Sequence, residues 1–130
     1  MLILKIIFAC FFMYAGIMHF IKPKFFTHFI PKGLPKLTVN YVVGGIEFML
    51  GFGLFFPSVS YLAALGIFIL LILFLPIHIW DVTKVRPAIG SKKLAYIRIP
   101  LQFILMYCAY LIYQNSGYEA NPELIHGSDD

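Results

Sequence analysis

The sequence predicts an all-α integral membrane protein built as a four-helix bundle, and three observations carry this prediction. Of its 130 residues, 61% are hydrophobic and only 12% are charged, whereas roughly a quarter of the residues of a soluble domain are charged. Apolar runs of membrane-spanning length alternate with short polar segments. The runs are too long and alternate too weakly for barrel strands, so each run must satisfy its backbone hydrogen bonds as a helix.

The four predicted helices are separated by clear breaks in the chain. Lys22-Pro23-Lys24 ends the first helix, Pro57-Ser58 turns the chain between the second and third, and the polar stretch from Asp81 to Ala95 precedes the fourth. These breaks place the helices at about residues 2–21, 39–56, 61–80 and 96–113. We expect one membrane domain over residues 1–114 and a polar, acidic, disordered tail over residues 115–130.

A cleaved signal peptide is the alternative for the first helix. Lys5 gives this helix a basic start, and Ile7-Phe8-Ala9-Cys10 loosely resembles a lipoprotein cleavage box. However, Phe8 fits that box poorly, and the apolar run continues beyond Cys10 to Ile21 with no polar segment after the cysteine. We therefore expect an uncleaved helix.

The basic residues predict the orientation, because short cytoplasmic loops are enriched in Lys and Arg. The first and third loops carry nearly all of the basic residues: Lys22, Lys24, Lys32, Lys36, Lys84, Arg86, Lys92 and Lys93. This bias predicts that both long loops are cytoplasmic and that both termini lie outside. The net charge of +4 then reflects topology and attraction to anionic lipids, and we expect no nucleic-acid partner.

The polar residues of the helices fall in the cytoplasmic half of the predicted bundle. At 1.5 Å per residue, Glu47 lies roughly 12 Å inside the second helix and Gln102 roughly 9 Å inside the fourth, with Arg98, His19 and His78 within about one turn of helix ends. Helical spacing also places Glu47 on one face with three small or polar residues: Asn40, Gly44 and Gly51. Because small residues let a second helix approach closely, we expect this stripe to face protein.

A buried carboxylate needs a partner in the membrane, and Arg98 is the nearest cation that depth permits for Glu47. We therefore predict a polar, cytoplasm-facing pocket with Glu47 and His78 as catalytic residues. Its predicted ligand-binding residues are His19, Arg98, Gln102 and Asn40. The alternative is a structural ion pair that fixes helix register and binds nothing, with His19 as an ordinary interfacial histidine.

Metal and thiol chemistry receive less support. His19, His78 and Glu47 share a depth, but their spacing gives no further sign of a metal site, so none is predicted. Cys10 and Cys108 have similar depths, but no CxxC motif accompanies them, and buried cysteine usually serves as a small apolar residue. Pro76, two residues before His78, should kink the third helix, as is common near ligand sites.

Four blocks of sequence resemble the DoxX family of small four-helix bacterial membrane proteins. They are GIMHFIKPKFFTHFIPKGLP, GGIEFMLGFGLFFP, LPIHIWD and RIPLQF, and together they cover nearly everything before the tail. His78 departs from the asparagine that many relatives have after the proline. The resemblance implies an inner-membrane location and favours His19, Glu47, His78, Arg98 and Gln102 as site residues. Some DoxX relatives are thiosulfate:quinone oxidoreductases or belong to thiol and superoxide defence complexes.

Two functions follow as expectations, and whether the protein is an enzyme stays open. In the first, the protein is the membrane component of a redox system for a lipophilic quinone or sulfur compound, with Glu47 or a histidine transferring a proton and Arg98 stabilising negative charge. A quinone is then the candidate cofactor, and electrons come from a partner subunit. In the second, the pocket binds a lipid or a small metabolite, or the bundle assembles partner proteins. Membrane lipids are expected partners in both cases, and transport would require a homo-oligomer.

The first loop also contains a segment that is apolar yet too broken for a long helix. Within residues 27–36, Ile30 and Leu34 are apolar. Pro31, Gly33 and Pro35 are residues that interrupt a helix. We expect this segment to lie at the membrane surface and to cover the mouth of the pocket, the alternative being an ordinary connecting loop.

Overall fold

The computed structural model describes residues 2–30, 32–84 and 91–120, and the all-α prediction is confirmed. Five helices account for most of these residues, and none of the described residues forms a strand. The helices are α1 Leu2–Ile21, α2 Pro23–Thr27, α3 Lys36–Gly53, α4 Ser60–Val82 and α5 Lys92–Ala120. Four of them are long and α2 is a single short turn.

The break after α1 was predicted, but the helix that follows it was not. Lys22 leaves the helical conformation, with φ −125° and ψ 64°, and Pro23 begins α2 directly afterwards. Proline suits the first position of a helix because its missing N–H would have no partner there. The same tripeptide that ends α1 therefore also starts a second, short helix.

The remaining helix boundaries differ from the prediction by a few residues, except at the end of α5. Helix α3 begins at Lys36 and ends at Gly53, so it is displaced toward the N-terminus relative to residues 39–56. Helix α5 continues to Ala120, through the predicted domain boundary at residue 114. No proline occurs between residues 114 and 120, so the backbone hydrogen bonds can continue. The rest of the predicted tail, residues 121–130, lies outside the described residues, as do Pro31 and residues 85–90 of the third loop.

The long helices are arranged as two pairs. Helix α1 packs along α3, α4 packs along α5, and smaller contacts join α3 to α4 and α1 to α5. Glycine makes the first pair very close: a Cβ atom at Gly16 would lie 2.6 Å from the carbonyl oxygen of Gly44, and one at Gly51 would lie 2.8 Å from that of Ala9. The predicted stripe of Asn40, Gly44, Glu47 and Gly51 is buried along this contact, as expected.

The apolar core lies in the half of the molecule where α1 and α4 begin and α5 ends. We use this name for the buried cluster of Phe8, Ala9, Phe12, Leu54, Ala63, Ala64, Ile67, Leu70, Leu71, Ala109 and Ile112. Three polar side chains, Lys5, Ser60 and Ser116, are buried beyond it at the same end. The opposite half contains the remaining buried polar residues of α1 and α3.

Among the described residues, three helices are long and apolar enough to cross a membrane: α1, α4 and residues 92–117 of α5. In the most apolar 18-residue stretch of each helix, only 28%, 28% and 22% is buried inside the protein. Most of these apolar stretches therefore face outward. Such a surface is compatible with a multi-pass membrane protein. Helix α3 does not qualify, because its 18 residues include Lys36, Asn40, Glu47 and four glycines.

Candidate functional site

A cavity of about 260 Å³ lies at the end of the molecule where α1 and α4 end and α3 and α5 begin. Its walls are mainly aromatic and aliphatic, with Phe11, Phe25, Phe26, Phe29 and Phe74 among them. Five of the six predicted site residues also line it: His19, Asn40, Glu47, His78 and Arg98. The cavity therefore combines an apolar wall with polar groups contributed by all four long helices.

The position of His19 follows from the proline that ends α1. In a continuous helix the carbonyl of His19 would accept a hydrogen bond from the residue four positions later, but that residue is Pro23, which has no N–H. The side-chain Nδ2 of Asn40 donates to this carbonyl instead, at 2.7 Å. Asn40 is fully buried at the start of α3 and thus ties the two helices together.

The same amide group determines which ring nitrogen of His19 carries hydrogen. Because a carbonyl can only accept, the group of Asn40 that faces the His19 carbonyl must be its NH₂, and Oδ1 faces the imidazole. Nδ1 of His19 lies 2.6 Å from that Oδ1 and must therefore donate to it. This leaves Nε2 of His19 directed away from Asn40.

Nε2 of His19 lies 3.2 Å from Oε2 of Glu47, and the two side chains are only 8% and 7% exposed. The contact has ion-pair distance but poor hydrogen-bond alignment, and no other group among the described residues donates to Oε2. Two lone pairs facing each other at this distance would repel. A proton on either group would remove that repulsion, giving an imidazolium with a carboxylate or a neutral imidazole with a carboxylic acid.

The predicted ion pair between Glu47 and Arg98 is not formed. Both side chains line the cavity, and Arg98 is close enough to interact electrostatically with Glu47, but the ion-pair contact of Glu47 is with His19. The prediction went wrong because it compared depth along the helices only. The close packing of α1 on α3 through Gly16 and Gly44 brings His19 within ion-pair distance of Glu47.

Arg98 is half-buried at the start of α5. Within residues 2–30, 32–84 and 91–120, the structure gives its guanidinium group no carboxylate at ion-pair distance and no hydrogen-bond acceptor. A guanidinium group has five N–H donors. Arg98 therefore presents unused donors and a positive charge to an otherwise largely apolar cavity.

Gln102 is the predicted site residue that the structure places elsewhere. It is fully buried one turn beyond Arg98, and its Nε2 donates to the carbonyl of Leu71 on α4 at 2.6 Å. Its Oε1 has no hydrogen-bond donor among the described residues. Gln102 thus joins α4 to α5, near the turn of α4 that Pro76 interrupts, rather than lining the cavity.

The structure also locates the histidine and cysteine candidates. His78 lines the cavity, with its ring edge-on to Phe29 at 5.8 Å between centroids. Within the described part of the chain, no three or more His, Cys, Asp or Glu side chains are grouped so that they could bind a metal ion. Cys10 is exposed and Cys108 is partly buried, and both are free thiols.

Sequence reasoning missed the aromatic cover of the cavity. Phe25 and Phe26 belong to α2, Phe29 and Ile30 follow it, and the ring of Phe26 stacks on His19 at 3.7 Å. The predicted cover, residues 27–36, thus supplies only Phe29 and Ile30 to the cavity, and residues 32–36 are exposed. Three phenylalanines between the lysines of the first loop could have indicated an apolar cover at this position.

Lys84 joins this cover to the end of α4 through a hydrogen bond, and the sequence analysis did not predict this contact. Its Nζ donates to the carbonyl of His28 at 2.7 Å, lies 3.5 Å from Oδ1 of Asp81, and sits 3.9 Å from the centre of the Trp80 ring. Trp80 therefore supports a lysine that crosses from α4 to the segment after α2.

Comparison with known protein families corrects the predicted resemblance. The family model that matches is the one described as "Domain of unknown function (DUF8561)", over residues 8–113. The resemblance to DoxX is therefore wrong; its short apolar blocks match unrelated membrane helices easily. No curated protein and no solved structure matched the chain.

Proposed function

The chain belongs to the DUF8561 family, and we propose from the geometry of its cavity that it is a four-helix membrane protein that binds a small lipophilic molecule with a polar head. One observation carries the proposal. A single cavity of about 260 Å³ joins an aromatic wall to polar side chains of all four long helices. Apolar walls with a few convergent polar groups are typical of ligand sites.

In this proposal α3 crosses the membrane together with the three more apolar helices. Its polar face is buried against α1, while Leu37, Val42, Ile46 and Met49 are exposed on the outside. Its 18 residues span roughly 27 Å, close to the thickness of the hydrocarbon region. The outward surface of α3 is thus as suitable for lipid as that of its neighbours.

We further propose the bacterial inner membrane as the location, with the cavity at its cytoplasmic side. The cavity lies at the end of the helices that carries the basic loops, and basic loops remain in the cytoplasm. Labelling of introduced cysteines in intact cells tests this orientation. A cysteine at Ser91 should be protected and one at Ser58 should react, and the opposite pattern would reverse the orientation.

The size and chemistry of the cavity define the ligand class. An engineered cavity of about 150 Å³ accommodates benzene, so a cavity of about 260 Å³ suits one substituted ring or a compact chain. The phenylalanines offer faces and edges for stacking. Arg98 and the pair of His19 and Glu47 offer hydrogen bonds to an oxygen-containing head.

Two neighbouring valines of α3 provide a matched test. Val43 lines the cavity, whereas Val42 is 55% exposed on the outer face. Binding of butyl-substituted benzene derivatives to the protein in nanodiscs can be measured by calorimetry, with empty nanodiscs as the blank. Val43→Phe should abolish binding by filling the cavity, and Val42→Phe should leave it unchanged. Equal binding by both variants would place the ligand outside this cavity.

A redox role is the second candidate, and the contact between His19 and Glu47 favours it, because such a pair can supply a proton. Reduction of a quinone to a quinol consumes two electrons and two protons. The pair would donate one proton to a quinone oxygen, the second proton would come from the cytoplasmic water, and the electrons would come from a partner subunit. Competition between a short-chain benzoquinone and the benzene probe tests this candidate, because a quinone that does not compete cannot be bound in the cavity.

A further inference from the structure

We propose that the cavity selects a lipophilic molecule with one negative charge, bound through Arg98. The inference rests on the proposed ligand-binding function and adds the charge of the ligand. It follows from the ionisable groups that line the cavity, which are His19, Glu47, His78 and Arg98. The ligand class is an organic acid with a compact apolar body, such as an aromatic carboxylate.

The charge of the cavity can be counted without assigning each proton. With a proton on either Nε2 of His19 or Oε2 of Glu47, the combined charge of the two side chains is zero. His78 is neutral or positive and adds no negative charge in either state. Arg98 is always positive. The lining groups together therefore carry at least one positive charge.

Neighbouring groups do not cancel this charge by direct contact. Asp81 is buried on the same side of α4 but lies 3.5 Å from Lys84, so its charge is balanced there. Glu47 acts on Arg98 electrostatically but makes no ion-pair contact with it, and its ion-pair contact is with His19. The guanidinium group has no hydrogen-bond acceptor within the described parts of the chain. An isolated cation in an apolar wall is costly, and a bound anion would remove that cost.

The aromatic walls of the cavity determine the rest of the ligand, which must be apolar. Phe25, Phe26 and Phe29 close the cavity from one side and Phe74 from another, so a strongly hydrated ion such as phosphate would lose its water without compensation. An acid with an apolar ring places its ring against the phenylalanines and its carboxylate against Arg98. Arginine is suited to this contact because its planar donors match a carboxylate in a two-point arrangement.

Two compounds of nearly the same shape test the charge. Titration of 4-butylbenzoate and 4-butylbenzamide into the full-length protein in phosphatidylcholine nanodiscs at neutral pH compares an anion with its neutral analogue. We expect the benzoate to bind about tenfold more tightly, because hydrogen bonds between charged groups are stronger than neutral ones. Arg98→Gln should remove the preference, and Arg98→Lys should retain part of it by keeping the charge without the planar fork.

Each outcome bears on a different part of the proposal. Equal affinities, or a preference for the amide, would overturn the charge selection and leave the proposed binding function intact. Failure of both compounds to bind would overturn the binding function itself. A preference for benzoate that persists in Arg98→Gln would remove Arg98 as its source. The wild-type comparison decides the charge even where Arg98→Gln does not fold.

The same assay distinguishes two sources of the anion. Nanodiscs that contain phosphatidylglycerol present an anionic lipid head beside the cavity, and competition by this lipid would identify the lipid head as an occupant of the anion site. Benzoate binding that is unaffected by phosphatidylglycerol supports a small free acid.

Discussion

The apolar core and the cavity lie at opposite ends of the same four long helices, and they differ in how the space between the helices is filled. The core combines small residues such as Ala9, Ala63 and Ala109 with larger ones such as Phe12 and Ile67, and all of them are buried. At the other end, the same helices leave about 260 Å³ unfilled and line it with ionisable groups. Stability and ligand binding are thus separated along the length of the helices, and changes in one end should have limited effect on the other.

The largest expected effect is a loss of stability from a change in the apolar core. Ile67 is fully buried on α4, and Ile67→Ala should lower the free energy of unfolding by about 2–5 kcal/mol, because a cavity remains where the side chain was. Denaturant unfolding in detergent measures this change. Affinity for the benzene probe should be unaltered, and a parallel loss of affinity would join the two ends functionally. Ile69→Ala, at a residue 49% exposed, is the control.

Alanine substitutions at three glycines of α3 should distinguish effects on helix packing from effects on probe binding. Gly51→Ala meets Ala9 and Met13 backbone atoms, and Gly44→Ala meets the Cβ of His19 at 2.5 Å, whereas Gly45→Ala meets nothing within 4 Å. The first two should each cost about 1–3 kcal/mol of stability, and Gly45→Ala should be neutral or slightly stabilising. Only Gly44→Ala should also weaken probe binding, since it displaces His19. Equal binding in all three variants would show that the position of His19 is unimportant.

The buried contact between His19 and Glu47 predicts energetic coupling between these residues. A double-mutant cycle with His19→Gln and Glu47→Gln should give a coupling energy of about 1 kcal/mol in unfolding. The corresponding cycle between Glu47 and Arg98, the pair expected from depth alone, should give a smaller value because no direct contact joins them. A larger coupling to Arg98 would restore the predicted ion pair.

The smallest expected effect concerns the cover of the cavity. Lys84→Met removes the hydrogen bond to the carbonyl of His28, which should increase the rate of probe dissociation severalfold. It also removes the contact of Lys84 with the buried Asp81, so some loss of stability should accompany the faster dissociation. Stopped-flow displacement of the probe measures the rate. Lys24→Met, at an exposed lysine of α2, is the matched control, and an equal rate change in it would exclude a specific role for Lys84.

Much of the fold was predictable because apolar runs and breaking residues determine helices locally. The end of α1 before Pro23 and the buried stripe around Glu47 follow from proline chemistry and helical spacing. The partner of Glu47 could not be predicted in this way, because depth along a helix says nothing about how closely two helices approach. That distance depends on Gly16 and Gly44 meeting, and their meeting is a property of the assembled pair.

The candidate site was predictable in its polar residues and not in its walls. His19, Asn40, Glu47, His78 and Arg98 were conspicuous as polar residues in apolar helices, whereas the phenylalanines of the first loop resembled any other apolar residues. Their contribution depends on α2, a single turn whose formation requires the support of neighbouring helices. The position of Gln102 was missed because helical spacing alone could not show that it bonds to Leu71.

The central claim is that the cavity, and not the apolar core, is a ligand site. The most direct measurement is a crystal structure of the protein purified with its native lipids. We predict density for a compact molecule between Phe26, Glu47 and Arg98, with its polar end toward Arg98, and continuous side-chain packing around Ile67. A cavity filled by the protein's own side chains, or a ligand bound only on the outer faces of the helices, would contradict this account.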